Sequence, residues 1–207
     1  MSERDEQNNE VREEIVEEEK AEEKRVPGSL LFDWAESLVP SLIGVILVFV
    51  FFVRLISVSG SSMLPTLQNR DYLIVSDLFY EPKVGDIVVI TKEGFLVNKY
   101  GREDSFVKRI VATEGQSVYI DYDLGCVYVD GEKQDDSFTL TPTTHEGDYE
   151  FPEGGLIVPE DCIFVLGDNR NGSTDSRYSY VGMIDKRCIV GHVLLRILPV
   201  NHFGAVS

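Results

Sequence analysis

The chain has 207 residues, enough for one medium domain with appendages. Its formal net charge is −17, of which the first 36 residues carry −8, with 13 acidic against 5 basic side chains. No basic patch is left that could track a phosphate backbone, which excludes nucleic acid as a partner. The three cysteines, Cys126, Cys162 and Cys188, show no CxxC or His/Cys spacing, so neither a metal nor another cofactor is expected.

Residues 1–25 are charged and poor in apolar side chains, with clusters at Glu13–Glu14 and Glu17–Glu19. Such a composition reads as a solvated tail, and Val26, Pro27, Gly28 and Ser29 break any helix that begins in it. The tail is taken as residues 1–37. From Leu38 to Val53 the chain is apolar, with Trp34 before it and Arg54 after it. Sixteen helical residues reach about 24 Å, short of a hydrocarbon core of about 30 Å. Leu55, Ile56 and a snorkelling Arg54 extend the reach, so residues 38–56 read as one transmembrane helix. A core helix would need a polar face, which this run lacks. A cleavable signal peptide would need a short basic region before it, where this chain is long and acidic. Cleavage after Ser59, with Ser57 and Ser59 as its small residues, stays open as an alternative.

Beyond residue 57 the pattern is mainly β. Tyr72–Val75 and Ile87–Ile90 read as strands, as do Ser105–Val111, Cys162–Leu166 and Ile189–Ile197, the last closed by Pro199. Val118–Ile120 and Val127–Val129 flank a turn with Asp123, Leu124 and Gly125, which predicts a hairpin. Residues 92–94 and 130–155 read as loops, the latter within a small subdomain or insertion at about 120–160. A β domain is therefore expected over 57–200, followed by a short tail, 201–207. Three cysteines cannot all pair within one chain; Cys162 and Cys188 lie in apolar strands and read as buried thiols, with a disulfide between them open.

The chemistry concentrates in Val58–Leu67, where Ser59, Ser61 and Ser62 stand between the apolar run and the strands. A serine becomes a nucleophile only when a base takes its proton and donors stabilise the oxyanion. The three histidines, His145, His192 and His202, have no obvious carboxylate partner. Lys108 is the other candidate: alternation puts it on one strand face with Phe106 and Ile110, where lost hydration lowers an amine's pKa. Arg109, next in the strand, is expected to point outward.

Gly60-Ser61-Ser62-Met63-Leu64-Pro65-Thr66-Leu67 resembles the nucleophile box of bacterial type I signal peptidases, the Ser/Lys proteases that remove signal peptides. Phe106–Val111 resembles the lysine box of that family, and Gly167–Arg177 resembles its third box. The resemblance runs over about residues 38–200 and implies a membrane-anchored, antiparallel β domain of the Ser/Lys protease type. It implies Ser62 as nucleophile and Lys108 as base, Ser173 bonded to the Lys108 amine, and an Asp175–Arg177 ion pair supporting the site. Gly60 stands where other members carry an oxyanion serine, as in the Gram-positive type with one anchor, so backbone N–H groups of Ser62 and near Gly60 would take that role. Ile56, Val58, Met63, Leu67, Phe106 and Val107 would line pockets for small residues. The implied partners are signal-peptide-bearing preproteins and the lipid bilayer, with the N-terminus cytoplasmic and the large domain outside. The two rival readings are a self-cleaving repressor, which would need a DNA-binding domain, and a membrane-tethered β domain that binds exported chains without cutting them.

Overall fold

Short strands with one or both faces apolar make up most of this chain after residue 53, and their register decides where the polar side chains of the three boxes meet. The computed structural model describes residues 29–91, 105–149, 151–152 and 154–206; within its helix, side chains are described from residue 34 to 47. The expected acidic tail over 1–25 and the loop at 92–94 lie outside the described residues.

The chain forms two units, residues 1–51 and 52–207. In the first, α1 (Ser29–Phe52) is a 24-residue helix with Pro40 inside it. It begins before the apolar run and ends before Arg54. Among the described residues, no helix is long and apolar enough to cross a membrane. Leu55 and Ile56, read from sequence as extending the helix's reach, belong instead to strand β1 (Arg54–Ser57).

In the second unit β1 pairs with β2 (Tyr72–Ser76), and β2 pairs with the long β11 (Ile189–Leu198). The sheet continues through β3 (Ile87–Ile90), β4 (Phe106–Thr113), β9 (Cys162–Leu166) and β10 (Ile184–Asp185), in the order β1-β2-β11-β3-β4-β9-β10, every pair antiparallel. A second antiparallel sheet runs β7-β6-β5-β8, from β5 (Ser117–Asp121), β6 (Cys126–Val129), β7 (Glu132–Lys133) and β8 (Leu156–Ile157). The architecture is mainly antiparallel β, and β5 and β6 are the hairpin that the sequence predicts.

Alternation explains β2, where Leu73 and Val75 turn into the core and Tyr72 turns out. It fails in β3, buried at all four positions, because a central strand covered on both faces reads as a continuous apolar run. Val118, Ile120, Val127 and Val129 of the smaller sheet pack with Val111, Phe164 and Leu166. Val58, Met63 and Leu67 pack with Leu73, Val75, Ile87, Val89 and Val193, which seats the serine segment on the sheet. Cys126 and Cys162 are free, and Cys162 and Cys188, expected to be buried, are only half-buried, because Cys162 opens β9 and Cys188 ends the 3-10 turn (Lys186–Cys188) that follows the edge strand β10.

Between β7 and β8, residues 134–149 run without strands and lie against the third box. The Leu140 N–H donates to the Asp168 carbonyl at 3.2 Å. Asn171 Oδ1 accepts from the N–H groups of Thr144 and His145 at 3.1 and 3.0 Å.

Candidate active site

The serine segment is held from two sides. Its start hangs on β2, since the Val58 N–H donates to Asp71 O and the Arg70 N–H to Val58 O. Its far end turns into the core, with the Leu67 N–H on Met63 O at 2.9 Å. Between these anchors Ser62 is half-buried beside β4.

Lys108 Nζ donates to Ser62 Oγ at 2.8 Å and to Val107 O at 3.0 Å. The β3–β4 register opposes Lys108 to Val88, so the amine is buried in an apolar wall, 3% exposed and 5.6 Å from the centre of the Phe106 ring. Burial lowers its pKa to about 8, against the opposing pull of Asp175 and Asp168. That pull is tempered because each carboxylate is paired with an arginine, and Arg177 itself pushes the amine's pKa down. Asp175 holds Arg177 through two contacts, Nε–Oδ1 at 2.8 Å and Nη2–Oδ2 at 2.9 Å, both side chains fully buried. Asp168 holds Arg109 in the same forked way, at 2.8 Å on each arm. About a tenth of Lys108 is therefore neutral at pH 7, against fewer than one in a thousand for an ordinary lysine.

The Arg109–Asp168 pair corrects the sequence reading. Arg109 does not point outward: it is buried, stacked 4.1 Å from the centre of the Phe138 ring, and donates to Gly85 O at 2.8 Å. Phe138 and Asp168, which cover the outward face of β4, lie 29 and 59 positions later in sequence, which local alternation does not reveal. Thr66 Oγ1 also donates to Asp168, at 2.5 Å. One member of each box thus meets at one carboxylate, and Thr66, Arg109 and Asp168 are site residues to which the sequence reading gave no role.

Two other expectations change. Ser173 does not bond Lys108; its Oγ is buried against Gly167 without a hydrogen-bond partner among the described residues. The Lys108 amine donates to Ser62 and Val107 instead. Gly60, with φ +103°, occupies a conformation that glycine tolerates, and its N–H points at Asn69 Oδ1, 3.2 Å away, which removes it as an oxyanion donor. The Ser62 N–H, by contrast, donates to no group among the described residues.

A cleft of about 630 Å³ opens over Ser62 and Lys108, with Ile56, Val58, Met63, Phe106 and Val107 in its wall. Leu67 is not in it. That side chain is fully buried beneath the segment, because the turn from Met63 carries it into the core. Val89, Ser105, Gly172 and Thr174 also line the cleft and were not foreseen.

A Cβ on Gly167 would stand 2.4 Å from Ser62 O and 2.2 Å from Ser173 Oγ. With Ser62 as the nucleophile that the resemblance implies, Gly167→Ala is expected to displace the serine segment and lower kcat on a preprotein with alanine on either side of one intervening position (Ala-x-Ala) by about 100-fold or more, since an ångström of misplacement costs that much. Wild-type kcat in this variant would contradict the tight approach.

The family model for signal peptidase, peptidase S26, matches residues 31–198. A probable signal peptidase I-1 of Synechocystis sp. is 36% identical over 154 residues, covering 72% of this chain and 74% of that one. A probable signal peptidase I-2 of the same organism is 32% identical over 198 residues, covering 94% and 86%. A signal peptidase I crystal structure from Enterococcus faecalis V583 aligns with a TM-score of 0.39 and 22% identity, over 55% of this chain and 97% of that chain. With the family model spanning most of its length and such relatives alongside, this chain belongs to the signal peptidase family, peptidase S26.

Proposed function

We propose that the chain is a membrane-bound serine endopeptidase that removes N-terminal signal peptides from exported preproteins, with Ser62 as nucleophile and Lys108 as general base. The observation that carries this reading is the 2.8 Å contact between a buried amine held near pKa 8 and a serine hydroxyl at the floor of an open cleft. Neutral Lys108 takes the Ser62 proton as Oγ attacks the scissile carbonyl. The Ser62 N–H faces the oxyanion, and the Lys108 ammonium returns its proton to the leaving amine. A water deprotonated by Lys108 then hydrolyses the acyl-enzyme ester. Asp175 and Arg177 support the site by closing each other's charge beside it.

The substrate lies extended along the cleft, with alternate side chains directed at its wall. Ile56, Val58, Met63, Phe106 and Val107 crowd that wall, which favours small residues such as alanine on either side of one intervening position. Lipid is the second partner. The outer face of β1 and β2 presents Leu55 and Tyr72, and Leu198, paired with Tyr72, continues that exposed apolar surface. Leu38, Leu42, Ile43 and Ile46 of α1 are also about half exposed or more, an apolar surface that lipid would cover. In this reading α1 is the single anchor, with the N-terminus cytoplasmic and the β domain on the extracytoplasmic side.

The test is cleavage, by the full chain in detergent, of a preprotein bearing an Ala-x-Ala site, with the new N-terminus read by mass spectrometry. Cleavage after the second alanine by wild type, with a loss on the order of 10⁴-fold or more in Ser62→Ala, is the expected result. Binding without cleavage would favour the tethered β domain that only captures exported chains.

A further inference from the structure

Asn169 grips two consecutive carbonyls of the serine segment. Its backbone N–H donates to Ser62 O at 3.0 Å, and its side-chain Nδ2 donates to Ser61 O at 3.1 Å. Ser61 O also accepts from the Leu64 N–H at 3.2 Å, so that oxygen is held from two directions. The Ser61 carbonyl and the Ser62 N–H belong to one peptide unit. In a planar trans peptide the C=O and N–H bonds point in opposite directions, so fixing the oxygen fixes the line along which the N–H points. Ser62 O, held by the Asn169 N–H, pins the next peptide unit as well. The Ser62 N–H is left without a partner among the described residues.

We propose that Asn169 is the positioning residue for the oxyanion donor: by holding Ser61 O from behind, its carboxamide aims the Ser62 N–H at the carbonyl oxygen of the bound substrate. This inference rests on Ser62 being the nucleophile. Asn169 does not touch the reacting atoms. Its work is to remove the peptide's freedom to rotate, so that the donor is already oriented when charge develops on the oxygen.

The seat of the carboxamide is built by its neighbour. Asn169 O accepts the Gly172 N–H at 2.9 Å, which closes a short 3-10 turn over residues 170–172. A Cβ at position 172 would stand 2.5 Å from Asn169 Nδ2 and 3.0 Å from its Cγ. A single methyl there pushes the amide off Ser61 O and leaves the side chain of residue 169 chemically unchanged.

The experiment compares Asn169→Ala, Asn169→Asp and Gly172→Ala with wild type and Ser62→Ala, all as full chains in detergent. The readouts are kcat and KM on the Ala-x-Ala preprotein, the pH midpoint of kcat/KM, and inhibition by a peptide aldehyde, whose hemiacetal with Ser62 carries the oxyanion. Asn169→Ala is expected to lower kcat by about 10- to 100-fold, somewhat less than outright loss of an oxyanion donor. KM and the pH midpoint are expected to stay at wild-type values, and aldehyde inhibition to weaken by the same factor as kcat. Asn169→Asp is expected to be worse than alanine, because a carboxylate repels the Ser61 oxygen, and Gly172→Ala to follow Asn169→Ala. An Asn169→Ala enzyme with kcat within threefold of wild type overturns the inference, as does a loss that falls on KM or shifts the pH midpoint. If Asn169→Ala does not fold, Gly172→Ala decides by kcat, the pH midpoint and aldehyde inhibition, since a methyl at position 172 also enters the cleft and KM is not read for that variant. Activity surviving in Ser62→Ala would instead overturn the nucleophile assignment itself, whatever the Asn169 variants do.

Discussion

Replacing Lys108 with methionine is expected to abolish cleavage and to stabilise the protein at neutral pH. Methionine fills the same apolar slot between Phe106 and Ser62 but offers no base, and loss of a general base lowers the rate by about 10²- to 10⁴-fold. The stability gain follows from the lowered pKa of Lys108. Between about 8 and 10.5 the unfolded chain holds a proton that the folded chain has released, so wild-type stability rises with pH across that window. Below about 8 the penalty is fully present and amounts to on the order of 3 kcal/mol for a shift of this size. The methionine variant lacks it. Thermal or denaturant unfolding of both proteins at pH 7 and pH 10 reads the difference: the variant should be the more stable at pH 7, with the gap closing towards pH 10. Equal stability at both pH values would mean that the amine is not desolvated.

The second large effect concerns Asp168. Asp168→Ala leaves Arg109 buried with no carboxylate and removes the acceptor that Thr66 uses, so a loss of about 3–5 kcal/mol is expected. In a domain of this size that corresponds to roughly 10 °C or more in Tm. The double replacement Asp168→Leu with Arg109→Met removes both charges together and is expected to recover much of the stability, because the cost lies in the orphaned guanidinium and not in the missing pair. Activity is not expected to return, since the nucleophile and base segments are tied to each other through this carboxylate. If the double variant is as unstable as the single one, the pair acts through packing and not through charge.

These two sites also show what was legible in the sequence. The serine segment and Lys108 could be singled out because each signal is local: hydroxyls crowded where an apolar run meets strands, and a lysine in step with Phe106 and Ile110; the choice of Ser62 among the three serines came from the family resemblance. β2, β3, β4, β9 and β11 of the larger sheet were legible for the same reason, as apolar runs bounded by turn residues, while β1 and the two-residue β10 were not. Arg109 was not. Alternation assigns it to the other face of β4 but cannot say what covers that face, and Asp168 and Phe138, which do, lie 59 and 29 positions further along the chain. Ser173 was misread because its box is dense in hydroxyls and amides, and only the backbone path decides which of them reaches the amine. Leu67 follows the same logic: it shares a box with Met63, yet one turn of chain separates a cleft wall from the core. The end of α1 was carried too far because Leu55 and Ile56 are apolar enough for a helix, while their pairing with Leu73 and Ile74 makes them a strand.

The dyad itself is tested most directly by the pH dependence of kcat/KM for the Ala-x-Ala preprotein, which reports the ionisation of the free enzyme. Wild type should gain activity as Lys108 loses its proton, along a single ionisation with a midpoint near 8, and Lys108→Met should show neither that rise nor comparable activity at any pH. A rate that is flat from pH 6 to pH 9, or the same rising limb in Lys108→Met, would contradict the account.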